Sequence, residues 1–170
     1  TGRSLLKLNQ ANGFDCQGLW VEVNVERELG YASKRDIERN GIDAFVSLCK
    51  QRVLTYAAQQ TEQSIRLGMS MDWNDPAELR RLRDLLAADP MQVATIQGPD
   101  GPVTDTVEML VGRLGMPELG GSYFTFSNEN NDLIRGFLAE CHRRGWVSKG
   151  PDSTPWCPRC GTGLPHQELN

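Results

Sequence analysis

The sequence has no apolar run approaching the ~20 residues needed to cross a bilayer. Its opening, Thr1-Gly2-Arg3-Ser4-Leu5-Leu6, has no long apolar signal core either. Membrane-spanning and secretory readings are therefore disfavoured. Positive charge is not in excess, with 18 Lys and Arg against 22 Asp and Glu and a formal net charge of −4. No general basic field exists to collect phosphates, which argues against free-standing nucleic-acid binding. Histidine is scarce, at two residues, and cysteine is odd in number, at five. Reduced thiols in a cytosol are the simplest reading. What is present is a chain of 170 residues and 19.0 kDa, 39% hydrophobic and 24% charged. That composition fits one folded domain with a real core and fits neither disordered nor collagen-like classes.

Apolar periodicity places the elements. Asn12-Gly13 is a turn dipeptide. Beyond it, the stretch from Leu19 to Gly30 alternates at Val21, Val23 and Val25 like a strand. Its Glu and Arg content and closing Gly30 favour a helix, which is the expectation adopted. Ser33 followed by Asp36 suggests the N-cap of a short helix ending near Gly41. Ile42, Phe45, Cys49, Val53 and Tyr56 recur at three- and four-residue steps, continuing to Ile65 and Leu67, and predict a long amphipathic helix closed by Gly68. Asp75-Pro76 opens another, with Leu79, Leu82, Leu85 and Leu86 on one face. Gly98-Pro99-Asp100-Gly101-Pro102 reads as a tight turn between two extended pieces, and residues 107–114 suit a short helix. Residues 89–121 as a whole read as an elaboration between framework elements. Asn130 is a candidate cap for a helix burying Leu133, Ile134, Phe137, Leu138 and Cys141, ended by Gly145, with Trp146 entering a short strand. No internal repeat or low-complexity segment is present.

The sharpest local motif is Trp156-Cys157-Pro158-Arg159-Cys160-Gly161-Thr162-Gly163. Two thiolates two residues apart, in a turn shaped by Pro and Gly, can point both sulfurs at one ion, and zinc suits them. A redox pair lacks the expected following helix, and a plain structural turn also stays open. Structural zinc wants four ligands, yet no second Cys pair follows. His166 is close enough to be a third ligand, though a lone His near a chain end is more often a solvated side chain. Cys16, Cys49 and Cys141 have no paired spacing and are expected to be core residues. With only His142 and His166 as bases, covalent catalysis is not expected. No phosphate-binding loop of the P-loop type is present, because Gly120-Gly121-Ser122 is too short. Asp15, between Gly13 and Gly18, is either a turn or cap residue or a carboxylate presented to a cationic ligand.

Taken in order, these segments resemble the catalytic region of class I aminoacyl-tRNA synthetases and, within that class, the isoleucyl-tRNA synthetases. Gly13-Phe14-Asp15-Cys16-Gln17-Gly18-Leu19-Trp20-Val21-Glu22-Val23 is similar to the Gly-aromatic-Asp-x-His-Gly-Leu-Pro-Val-Glu segment there, and Glu26-x-Glu28-Leu29-Gly30 continues it. Phe45-Val46-x-x-Cys49-Lys50 and Leu67-Gly68-x-x-x-Asp72-Trp73 also fit. So do Tyr123-Phe124-Thr125-Phe126, the helix up to Gly145-Trp146, Lys149-Gly150 and the cysteine turn. The resemblance runs from about Asn12 to Gly163.

The resemblance implies an α/β fold: an incomplete doubly wound, Rossmann-like catalytic domain, helix-rich, over residues 1–150, with an insertion at about 89–121. Residues 151–170 would be the entry to an editing insertion, with Cys157 and Cys160 as the first half of a zinc site. The implied activity is reaction of isoleucine with ATP and Mg2+ to an aminoacyl adenylate, followed by acyl transfer to tRNA(Ile), in a cytoplasmic enzyme expected to be a monomer. Asp15 would hold the substrate's α-ammonium, with Gln17 beside it as a second substrate-binding residue.

The sequence also departs from the pattern. The His-Ile-Gly-His and Lys-Met-Ser-Lys-Ser signatures are missing, Gln17 and Trp20 replace the common His and Pro, and Ser70 and Arg135 stand where tryptophan is expected. Thr1 takes the place of an initiator Met, and the chain stops soon after the cysteine turn, so an internal fragment, inactive by itself and with exposed apolar surface, is expected. The competing readings are a noncatalytic scaffold that binds zinc or protein, and a valyl- or leucyl-type relative.

Overall fold

Helices dominate the computed structural model, which describes residues 12–151, 153–159 and 161–164. None of the described helices is long and apolar enough to cross a membrane. The first strand, β1 (Gly13–Phe14), leads into α1 (Leu19–Glu28), a helix despite its alternating valines. Val21 and Val25, four residues apart, are buried. Glu22 and Glu26 instead both reach Lys34, at 3.2 and 2.5 Å. A strand would have put Val23 on the same face as Val21 and Val25, whereas in the helix Val23 is turned away from that pair and is only half-buried.

The short helix α2 (Arg35–Asn40) begins as the Ser33 and Asp36 pattern predicts, by a different bond. The Ser33 hydroxyl does not cap it. Asp36 reaches back and accepts from the backbone N–H groups of Ala32 and Ser33, at 3.0 and 2.9 Å.

The centre of the molecule is α3 (Ile42–Arg66) packed along α4 (Pro76–Ala88). On α3 the buried positions are Phe45, Val53, Leu54, Ala57, Ala58 and Thr61. The expected apolar stripe is corrected here: Ile42, Tyr56, Ile65 and Leu67 are exposed. Two alanines on the contact face let α4 approach closely, so the stripe that meets Leu79, Leu82 and Leu86 is built on small residues that hydropathy spacing underrates. Helix α4 starts as expected, with Pro76 in its first turn and Asp75 accepting from the Ala77 N–H at 2.9 Å.

Strands β2 (Val93–Gly98) and β3 (Gly101–Thr106) form an antiparallel hairpin around Pro99-Asp100. Helix α5 (Val107–Gly112) follows at once, with the Thr106 hydroxyl accepting from the Met109 N–H. This region shares the core: Ile96, Val107, Leu110, Val111, Leu114 and Leu119 pack with Phe14, Leu54 and Leu82. At Gly115 the backbone has φ +81°, and a Cβ would lie 2.3 Å from the Ser122 carbonyl oxygen, so only glycine fits.

The chain then returns to its start. Strand β4 (Tyr123–Phe124) pairs with β1 in parallel, Gly13 opposite Tyr123 and Phe14 opposite Phe124. The three sheets of the described residues are this pair, the β2–β3 hairpin and a small antiparallel hairpin of β5 (Trp156–Cys157) and β6 (Thr162–Gly163). A helix-rich chain with small sheets of both kinds is compatible with the α/β class.

Helix α6 (Asn128–Arg143) departs most from expectation. Its cap is Ser127, whose hydroxyl accepts from the Asn130 N–H at 3.2 Å, while the Asn130 side chain donates to the Thr125 carbonyl at 2.8 Å. The face expected to be buried is open. Leu133 is 73% exposed and Phe137 68%, Ile134 and Leu138 are also exposed, and Cys141 alone is buried. Amphipathic spacing shows which face wants cover, and no described element supplies it. Trp146 enters no strand and is exposed.

The two faces differ in energetic weight. Leu54→Ala in the α3–α4 contact should cost about 2–5 kcal/mol in urea unfolding, whereas Phe137→Ala should change stability by no more than ~0.5 kcal/mol in the isolated chain. Equal losses would show that α6 is packed in solution.

Candidate functional site

The parallel β1–β4 pair fixes where the chain turns into α1. The Tyr123 N–H donates to the Asn12 carbonyl at 2.8 Å, and the Thr125 N–H to the Phe14 carbonyl at 3.1 Å. One residue on, the Cys16 N–H donates to the Thr125 hydroxyl at 2.9 Å. Phe14 and Phe124 pack with ring centroids 5.1 Å apart. Asp15 is held between these anchors.

Its carboxylate accepts from the Gln17 N–H at 3.1 Å through Oδ1, closing an Asx turn before the helix. The turn role and the presentation role coincide, because Asp15 also lines a cavity of about 190 Å³. The remaining walls come from Gly13 and Phe14 of β1, Trp20 of α1, and Val53, Tyr56, Ala57 and Gln60 of α3. Trp20 and Tyr56 meet edge to face, centroids 6.2 Å apart at 79°. Arg52 backs the Tyr56 ring at 4.9 Å and is tied to Glu28 at 2.5 Å. A carboxylate at the mouth, aromatic edges and an apolar floor suit a small ligand with a cationic group and an apolar body.

Gln17 is exposed and does not line the cavity; its backbone, not its side chain, orients Asp15. Trp20, Tyr56 and Gln60 were not legible as site residues. Tyr56 and Gln60 are one helical turn apart, a spacing that reveals a shared face but not what the face borders.

A larger cavity, about 350 Å³, lies between α1, α3 and α4 and is lined in part by Arg52 and Arg83. Carboxylates hold both guanidiniums, Glu28 for Arg52 and Asp84 for Arg83.

The cysteine turn is a hairpin. Trp156 pairs with Gly163 and Cys157 with Thr162, and the Gly161 N–H donates to the Cys157 carbonyl at 2.9 Å. Cys160 and His166 lie outside the described residues. Among the described residues no group of three or more His, Cys, Asp or Glu is placed to hold a metal. The donors in view therefore do not complete a four-ligand zinc site.

None of the other thiols is set up as a nucleophile. Burial pushes the Cys16 thiol up, and it donates to the Phe14 carbonyl at 3.2 Å. Burial first, with Glu22 and Glu26 nearby, pushes Cys49 up to about 11. Cys141 is buried.

Residues 6–83, which span the Asp15 turn, α1 to α3 and much of α4, match the family model of tRNA synthetases class I (I, L, M and V). That match covers a little under half of the chain and makes residues 6–83 similar to the class I tRNA synthetases. Similarity to curated relatives runs further along the chain. The chain is 29% identical over 162 residues to the isoleucine–tRNA ligase of Methanothrix thermoacetophila, covering 95% of this chain and 11% of the relative. With the isoleucine–tRNA ligase of Methanosarcina acetivorans identity is 27%, covering 92% of this chain and 10% of the relative. With that of Streptomyces coelicolor it is 29%, covering 92% and 11%. The chain thus spans about a tenth of the length of these relatives. No solved structure matches it significantly.

The raised Cys49 pKa sets a pH dependence. Only thiolate reacts with iodoacetamide, so alkylation of Cys49 should be slow at pH 8 and rise about tenfold per pH unit until it levels near 11. Mass spectrometry of timed samples reads this directly. Fast labelling at pH 8 that levels off by about pH 9 to 10 would show an exposed thiol of ordinary acidity.

Proposed function

We propose that the chain forms part of an isoleucine–tRNA ligase, contributing a wall of the site where isoleucine reacts with ATP and Mg2+ before acyl transfer to tRNA(Ile). The observation that carries this reading is the position of Asp15, which lines a small cavity with an apolar floor in the segment most like the family's. In the proposed role Asp15 binds the α-ammonium of isoleucine. An ammonium leaving water needs a fixed anion, and the Gln17 N–H and the β1–β4 anchors fix this one.

The reaction asks mainly for alignment. The amino-acid carboxylate attacks the α-phosphorus of ATP, pyrophosphate leaves, and the enzyme holds both reactants in line while neutralising phosphate charge. Asp15 contributes to the first of these tasks. The His-Ile-Gly-His and Lys-Met-Ser-Lys-Ser signatures that serve the nucleotide are absent from this sequence, so the chain alone is proposed to be inactive. The β1–β4 pair and the helices between are proposed to belong to a Rossmann-like nucleotide-binding unit over residues 1–150, with 89–121 inserted and 151–170 leading to an editing insertion.

Cys157 and Cys160 are proposed as half of a zinc site, with the other ligands supplied from outside the described residues. Zinc there would tie down the hairpin and take no part in the chemistry.

Two measurements test these assignments. In a ligase containing this segment, Asp15→Ala should lower kcat/KM for isoleucine in ATP–pyrophosphate exchange by roughly 10- to 150-fold, equivalent to about 1.5–3 kcal/mol for one charge-assisted contact. The KM for ATP should stay nearly constant. An unchanged isoleucine response rejects the role of Asp15. For the metal, the same protein should lose bound zinc on Cys157→Ser, read by elemental analysis after dialysis; a full retained equivalent rejects the half-site.

A further inference from the structure

A third cavity, of about 210 Å³, lies beside the first turns of α4. It shares no lining residue with the Asp15 cavity. Part of its wall, from Trp73 to Leu82, lies within the residues that match the synthetase family, and the rest, from Ile96 to Gly121, lies beyond them. Strand β2 and the loop after α5 therefore build, against α4, a cavity that the matched segment alone does not possess.

Its floor is apolar: Leu79 and Leu82 of α4, Ile96 of β2, and Leu114 and Leu119 after α5 are all buried. Its rim is polar and fixed. The Trp73 indole N–H donates to the Met69 carbonyl at 3.0 Å, which holds the ring as an aromatic wall. Asn74 Oδ1 accepts from the Ser122 N–H at 2.9 Å. At Gly121, with φ +77°, a Cβ would lie 2.2 Å from Asn74 Nδ2, so the loop closes on Asn74 only with glycine there.

What the rim leaves open is acceptors. Asp75 gives Oδ1 to the Ala77 N–H as the cap of α4, at 2.9 Å, and keeps Oδ2. Gln97 donates Nε2 to the Gly98 carbonyl at 3.2 Å and keeps Oε1. The charges agree with this count, because Asp75 and Glu78 line the cavity and no cation does. Arg81 neutralises Glu78 through bonds of 2.9 and 2.6 Å and is tied to the Thr95 carbonyl of β2 at 2.8 Å. Arg80 is held by Glu62 at 2.5 Å. No cation is paired with Asp75 among the described residues. The rim therefore keeps one uncompensated negative charge.

We infer that this cavity binds a small primary amine carrying an apolar group, its ammonium on Asp75 and Gln97 Oε1 and its apolar part on the leucine floor beside Trp73. An ammonium brings three donors and one positive charge to a rim of acceptors with one negative charge. A carboxylate or phosphate would meet Asp75 with like charge. A hard metal ion takes six or more oxygens, which this rim does not gather, and would leave the floor unused. The volume is below the ~300–1,000 Å³ of sites for drug-sized molecules, which limits the occupant to a small one. The inference is independent of the ligase reading.

The experiment titrates phenethylamine into the full 170-residue chain and follows the Trp73 indole N–H by NMR, assigned with Trp73→Phe. Saturable shifts with a Kd on the order of 1 mM are expected for a ligand of this size. The alcohol of the same shape, 2-phenylethanol, should bind at least about tenfold more weakly. Asp75→Asn keeps the capping oxygen and removes the charge. It should weaken phenethylamine about tenfold while leaving 2-phenylethanol nearly unchanged, with circular dichroism verifying the fold. Asp15→Asn should alter neither. Absence of saturable shifts, equal affinity for the alcohol, or undiminished amine binding by Asp75→Asn overturns the site. So does loss of binding in Asp15→Asn, which would put the amine in the other cavity. The comparison of amine with alcohol needs no variant, so it decides even where a substitution unfolds the chain. None of these readouts involves ATP or acyl transfer, so failure here leaves the ligase assay of Asp15 standing, and failure there leaves this binding measurable.

Discussion

The architecture depends on one long-range closure, the parallel pairing of β1 with β4. Only two residues on each side take part, yet the Cys16 N–H bond to Thr125 spans 109 positions of sequence. Closing so long a loop costs conformational entropy that grows only slowly with length, and two ladder bonds cannot offset it alone. The aromatic contacts do the rest. Phe124 is fully buried, packs on Phe14 at 5.1 Å and on Phe126 at 5.4 Å, and joins the core that α3, α4 and α5 share. The turn at Asp15 therefore inherits its position from the whole core, although the residue itself is exposed.

That dependence explains what could be read from the sequence and what could not. Helices α3 and α4 were legible because their apolar spacing, Asp75-Pro76 start and glycine stop are local signals. The hairpin around Pro99-Asp100 was legible for the same reason. The turn role of Asp15 was legible from its flanking glycines, and its ligand role is proposed from the resemblance. Trp20, Tyr56 and Gln60 were not, because their relation to Asp15 arises only when α1 and α3 pack beside β1. On α3, the stripe of Leu54, Ala57, Ala58 and Thr61 was missed because alanine and threonine weigh little in hydropathy, while close helix contact favours small side chains.

Helix α6 shows the reverse error. Leu133, Ile134, Phe137 and Leu138 form a strong apolar stripe, and spacing predicted burial that the described structure does not provide. Periodicity records a requirement of the sequence, and exposure records whether the described residues meet it. An apolar stripe of this size left in water is costly. It is the feature that distinguishes α6 from α3 and α4, whose stripes find each other.

In the proposed role, Asp15 would serve the fold and a ligand without conflict. Its Oδ1 accepts from the Gln17 N–H just ahead of α1, where the positive end of the helix dipole attracts a carboxylate by roughly 0.3–1 kcal/mol at an exposed site. A charge-assisted contact to an ammonium contributes more, about 1.5–3 kcal/mol. The helix end can therefore orient the carboxylate without outcompeting a bound cation for it. A lysine or arginine partner within the chain would have matched the cation's strength and blocked the site; none is paired with Asp15 among the described residues. Arg52, the nearest guanidinium named in the cavity's surroundings, is instead drawn away by Glu28 and stacked behind Tyr56. In the proposed role, Glu28 on α1 would contribute by holding Arg52 behind the Tyr56 ring, outside the walls of the Asp15 cavity.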